Sequence, residues 1–132
     1  MTDQEIFNTV VAHLKAQGKK CAVGEACRYR LDEVIEGVGT GRVLKCAAGA
    51  LLPDNLYDPK MEGVSFGYDA VKPELFGVQG DAQRELVYEL QQVHDDFEVA
   101  QWPDLLEALA ARLNLRACLV VAWKAELREA AL

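Results

Sequence analysis

A chain of 132 residues that is 51% hydrophobic and 27% charged is long enough to bury a core without disulfide or metal staples, and its balance excludes a disordered tract. The net charge of -7 arises wholly beyond residue 60: residues 1–60 carry eight basic and eight acidic side chains, residues 61–132 six basic and thirteen acidic. That distribution lacks the basic footprint that direct binding to nucleic acid or to an anionic membrane needs. No apolar run approaches a membrane span, and the acidic, polar start is unlike a signal peptide, so a cytoplasmic protein without a membrane segment is expected.

Thr2 and Glu5 make a capping-box pattern, Phe7, Val10, Val11 and Leu14 recur at helical spacing, and Gly18 stands where a helix stops. Together they predict a first helix over residues 3–17. His13 falls at the edge of its apolar stripe, a place for a part-buried, hydrogen-bonded histidine. The runs KKCAVGEACRYRL and RVLKCAA then read as two strands of a small β-hairpin, with DEVIEG and the glycines of GVGTG in the connection. This pairing would set Cys27 and Cys46 on neighbouring strands. The tract GVGTGR lacks the preceding strand, following helix and Gly-Lys-Ser/Thr ending of a phosphate cradle, and reads as a flexible tip.

Residues 45–63, KCAAGALLPDNLYDPKMEG, are expected to form an irregular scaffold segment in which small residues allow close backbone approach and Tyr57 and Met61 point inward. A second helix is predicted with Asp81 as its cap and Leu86, Leu90, Val93 and Phe97 inward. A third opens at Trp102 and Pro103 and buries Leu105, Leu106, Leu109 and Leu113. The tail RACLVVAWKAELREAAL favours helix, with a buried strand over its first part as the alternative, and Cys118 reads as a core hydrophobe. The expected architecture is a single domain over residues 1–132, mainly α, with about four helices around a two-stranded ribbon.

The order C-x-Y-R (27–30), K-C-A-x-G-x-L-x-P-D-x-x-Y (45–57), M-E-G (61–63) and Q-x-x-H-D (91–95), followed by a helix opening at Trp102, resembles that of a group of small bacterial and phage proteins with no known activity. The DEVIEGVGTG insertion and the alanine-rich tail depart from that pattern. The resemblance singles out positions and implies no function.

Two readings of function follow. Between Glu74 and Glu107 there are nine acids and one base, Arg84, so two amphipathic helices present a negative face. That face suits a small interaction or regulatory protein, inhibitor-, antitoxin- or immunity-like, which binds a basic protein surface through Glu85, Glu89, Asp95, Asp96 and Glu98 and needs no cofactor. The alternative is an enzyme: Cys27, Cys46 and His94, completed by Asp95 or Glu62, have donors that suit zinc, and Cys46 with His94 would be a thiol and its base. Against the first stands a solvated helix face that serves solubility alone, and against the second plain packing, with the cysteines filling tight spaces and His94 tying its helix to residues 53–63.

Overall fold

The computed structural model describes all of residues 1–132. Helix α1 spans Asp3–Gln17 with the full Thr2/Glu5 capping box, and Gly18 ends it in a left-handed conformation, as the local pattern predicts. Helices α2 (Gly80–Asp96), α3 (Trp102–Arg112) and α4 (Cys118–Ala130) complete a mainly helical α+β fold. α1 packs against α2 and α4, and α3 against the same two helices. Their inward faces feed one hydrophobic cluster that includes Phe7, Leu14, Leu86, Leu90, Trp102, Leu106 and Val120. No helix is long and apolar enough to cross a membrane.

The β structure is more extensive than the expected ribbon. A small hairpin pairs β1 (Ala22–Val23) with β2 (Ala26–Cys27), and a separate one pairs β3 (Arg30–Ile35) with β4 (Val38–Lys45). DEVIEG is therefore strand up to a two-residue turn, Glu36 (φ 51°) and Gly37 (φ 79°), and the following VGTG begins the strand that returns. Positive φ at both turn residues matches the twist of a tight hairpin, and this is why the link is short. Cys27 pairs with Ala22 and Cys46 follows the end of β4, so the two cysteines are not on paired strands.

The glycines of β4 serve a bulge. Asp32 pairs with Val43 and Val34 with Gly39, so Thr40, Gly41 and Arg42 stand opposite Glu33 alone, and Gly41 takes φ 79° to absorb the excess. The bulge turns Glu33 inward, leaving it 6% exposed. Its carboxylate accepts hydrogen bonds from Lys19 Nζ (2.7 Å) and the Thr40 hydroxyl (2.9 Å), with Arg42 at 3.9 Å.

Residues 45–63 are buried scaffold in their first half and at Met61. Cys46 to Gly49, Leu51, Leu52 and Met61 are buried, Tyr57 is half-buried under Arg30, and the chain between passes through exposed 3-10 turns. Four further expectations are corrected. Asp81 lies inside the first turn of α2, while Gln79 is its N-cap and donates its backbone N–H to Gln83 Oε1. The tail is helix throughout residues 118–130, and Cys118 is exposed at its start because the inward stripe falls on Val120 and Trp123. Leu113 is left 37% exposed where α3 ends, and Phe97, expected inward, is 36% exposed just past the end of α2.

Two experiments probe these close approaches. A Cβ on Gly49 would collide with the main-chain carbonyl of Tyr29, whereas one on Gly39 would meet nothing. Gly49→Ala is expected to lower unfolding free energy by about 1–3 kcal/mol, and Gly39→Ala to change it by less than about 0.5 kcal/mol, in denaturant titrations. The Lys19 hydrogen bond, and then that of Thr40, hold Glu33 below the usual carboxylate range. A depressed pKa contributes stability that is present above the unfolded-state value and is lost as pH falls through the folded-state value. Glu33→Gln should thus melt lower than the parent at neutral pH and converge on it in acid.

Candidate functional site

The polar residues singled out by motif meet at the C-terminal half of α2. Gln91, His94 and Asp95 fall on successive turns of one face, since positions three and four apart are neighbours on a helix. Gln91 Oε1 accepts the buried Ala48 N–H at 2.8 Å, while its Nε2 donates to Cys27 Sγ at 3.1 Å and to Asp95 Oδ1 at 2.8 Å. His94 is 1% exposed, stacked at 5.6 Å and 26° on Trp102. Its Nδ1 lies 2.7 Å from Asp95 Oδ1, and its Nε2 accepts the Cys21 N–H at 3.0 Å.

These contacts define the tautomer. A backbone N–H can only donate, so Nε2 presents its lone pair to Cys21 and Nδ1 carries the proton toward Asp95. Burial pulls the imidazole pKa down, but the Asp95 carboxylate and the Cys27 sulfur outweigh it to a net rise. The Cys21 bond nonetheless belongs to the neutral ring, because a charged ring would set N–H against N–H. His94 does tie its helix to another segment, but that segment is the chain at Cys21 rather than residues 53–63.

Residues 53–63 are anchored instead by Glu62, whose carboxylate accepts the N–H groups of Tyr29 (2.9 Å) and Arg30 (3.2 Å) and the Tyr57 hydroxyl (2.8 Å). Sequence reasoning gave Glu62 only as a spare metal ligand. The M-E-G signal held no hint that the acid substitutes for a strand partner.

The metal candidates partly converge. Donor atoms of Cys27, His94 and Asp95 all lie within 4.8 Å of one another, while Cys46 is fully buried beside them and Glu62 is engaged with β3. Proximity is offset by commitment. A metal on Nδ1 would displace the proton shared with Asp95 and move it to Nε2, against the Cys21 N–H. Cys46 Sγ accepts the Gly49 N–H at 3.3 Å, in the manner of a helix cap. Cys46 and then burial raise the Cys27 thiol strongly, and burial pushes Cys21 up to about 12, so both thiols are protonated near neutrality and poorly nucleophilic.

The acidic residues separate into engaged and open groups. Glu89 is paired with Arg112 at 2.7 Å, and Asp104 and Glu107 share Lys124 at 2.7 and 3.0 Å. Glu98 caps the 3-10 turn Val99–Gln101, and Asp95 Oδ1 is taken by His94 and Gln91. Glu85 and Asp96 are exposed, with no ion pair or hydrogen bond from another side chain. Glu85, Glu89 and Asp96 line one stripe of α2, while Asp95, Asp96 and Glu98 gather at its end. No family model, curated protein or solved structure matches the chain.

Nitrogen-15 NMR at mildly alkaline pH should find His94 protonated on Nδ1 and bare on Nε2. Zinc titration should leave the melting temperature unchanged. A stabilisation by one equivalent of zinc that Cys27→Ser abolishes would mean that the ring turns to release a nitrogen.

Proposed function

We propose that this chain is a small acidic interaction or regulatory protein, of the inhibitor, antitoxin or immunity kind, that acts in the cytoplasm by covering a basic surface on a partner protein. The observation that supports it is the negative pole at the end of α2. Asp95 and Asp96 stand exposed in the last turn, where the helix dipole already places negative charge and where cations rather than acids are the stabilising choice. Lys20 Nζ, 3.1 Å from the Asp95 carbonyl, offsets this only in part. Glu98 lies just beyond and Glu85 three turns back on the same helix face. Asp96, a carboxylate placed against local helix stability with no cation beside it, is expected where a partner supplies the cation, and Glu85 and Glu98 extend the same negative surface.

The competing reading, a metal- or thiol-dependent enzyme at Cys27, Cys46 and His94, has proximity in its favour and the occupied His94 nitrogens against it. Capture from native lysate, with mass spectrometry to identify the bound protein, supplies the partner whose association rate is then measured. Reversing Glu85, Asp96 and Glu98 to lysine should slow association about tenfold or more at low ionic strength, with the difference shrinking in high salt. Asp32→Lys, on the exposed edge of β3, should do little. Equal rates for the triple reversal and the parent at low salt would reduce the acids to a solvated face.

A further inference from the structure

Beside the negative pole lies a cleft of about 570 Å³ between β2, residues 63–68 and α2. Tyr29, Phe66, Tyr68 and Tyr88 supply its aromatic wall, and Asp95 and Asp96 close one end, with no lysine or arginine in the lining. We infer that this cleft receives an arginine side chain of the partner. The inference rests on the proposed function and names the group recognised.

The aromatic wall is built rather than incidental. Phe66 is buried edge-on against Phe76 (5.1 Å) and Tyr88 (5.5 Å), which fixes the floor. Tyr68 is 63% exposed, an unusual place for a large ring, yet its backbone is fastened. Gly67 N–H donates to the Val71 carbonyl and Val71 N–H to the Tyr68 carbonyl, both at 2.8 Å, and Asp69 turns the loop at φ 46°. Val71 is fully buried and anchors that loop to the core. Gly67 must be glycine, since φ is 92° and a Cβ would sit 2.5 Å from the Tyr88 hydroxyl. A ring held out in water by a rigid loop forfeits burial in the free protein and loses little entropy when something covers it.

The chemistry of the cleft selects among cations. Aromatic faces attract any cation, and the two aspartates add charge. Asp96 has no side-chain partner and only Oδ1 of Asp95 is engaged, so the cleft that holds the rings also holds unfilled acceptors. A methylated ammonium has too few donors to fill them, and a lysine ammonium is a compact, strongly hydrated point charge. A guanidinium is planar, weakly hydrated and stacks on an aromatic face while its fork of N–H donors meets a carboxylate.

The test uses the full chain and two capped peptides matched in length and charge, one alternating glycine with arginine and the other glycine with lysine, measured by calorimetry at low salt. The arginine peptide is expected to bind about fivefold to tenfold tighter. Tyr68→Ala, at an exposed position, should bring it down to the level of the lysine peptide, while Tyr68→Phe keeps the preference. Asp96→Asn should weaken both peptides. If both bind equally and Tyr68→Ala changes neither, the arginine cleft is overturned while the basic-partner reading stands. If neither peptide binds, both are overturned.

Discussion

The structure depends on a hydrogen-bonded clamp at the C-terminal half of α2, which joins the Ala48 N–H to Gln91, Gln91 to Cys27 and Asp95, Asp95 to His94, and His94 to the Cys21 N–H. Cys21 and Ala48 are both fully buried in irregular chain, where no strand or helix partner accepts their N–H groups. An orphaned buried N–H costs about 1–3 kcal/mol, so two side chains of α2 meet a need that the backbone cannot meet itself. The helix thus holds the β1 entry and the exit from β4 at once, and the hydrophobic core closes around that arrangement.

The same device recurs at two other junctions. The side-chain amide of Gln17 imitates a peptide group: Oε1 accepts the Lys45 N–H and Nε2 donates to the Lys45 carbonyl, both at 2.8 Å, docking the end of α1 to the end of β4. His13 Nε2 meets that carbonyl at 3.0 Å. Glu62 does for the start of β3 what Gln17 does for the end of β4. Two isolated two-stranded hairpins are marginal on their own, and these side chains fasten them to α1, α2 and the segment that ends at Glu62.

This use of polar groups constrains function. Gln91, His94, Glu62 and the sulfurs of Cys27 and Cys46 look reactive in isolation, yet each has its hydrogen-bonding capacity directed at neighbouring chain. The motif positions that stand out in the sequence correspond here to residues of this internal bracing. Surface chemistry is left to the groups the bracing does not use, chiefly Asp96, Glu85, the second oxygen of Asp95 and the ring of Tyr68. Asp95 belongs to both sets, since one oxygen orients His94 and the residue also lines the cleft.

Some of this was legible without coordinates. The Thr2/Glu5 cap, the Gly18 stop, the opening of α3 at Trp102 and Pro103 and the apolar stripe of α2 from Leu86 to Val93 are properties of residues within a turn or two of one another, and local backbone geometry decides them. The close approach at Gly49 was foreshadowed by the run of small residues. Tertiary structure decided the rest. Whether Cys118 is core or surface depended on which face α4 turns inward, and which acids remain open depended on where Arg112 and Lys124 arrive. The clamp and the Glu62 anchor join residues 73, 43 and 33 positions apart, and one side chain of suitable length and polarity looks like any other until the fold brings its partner within 3 Å. Periodicity and capping are short-range in sequence; hydrogen bonding from side chain to distant backbone is short-range only in space.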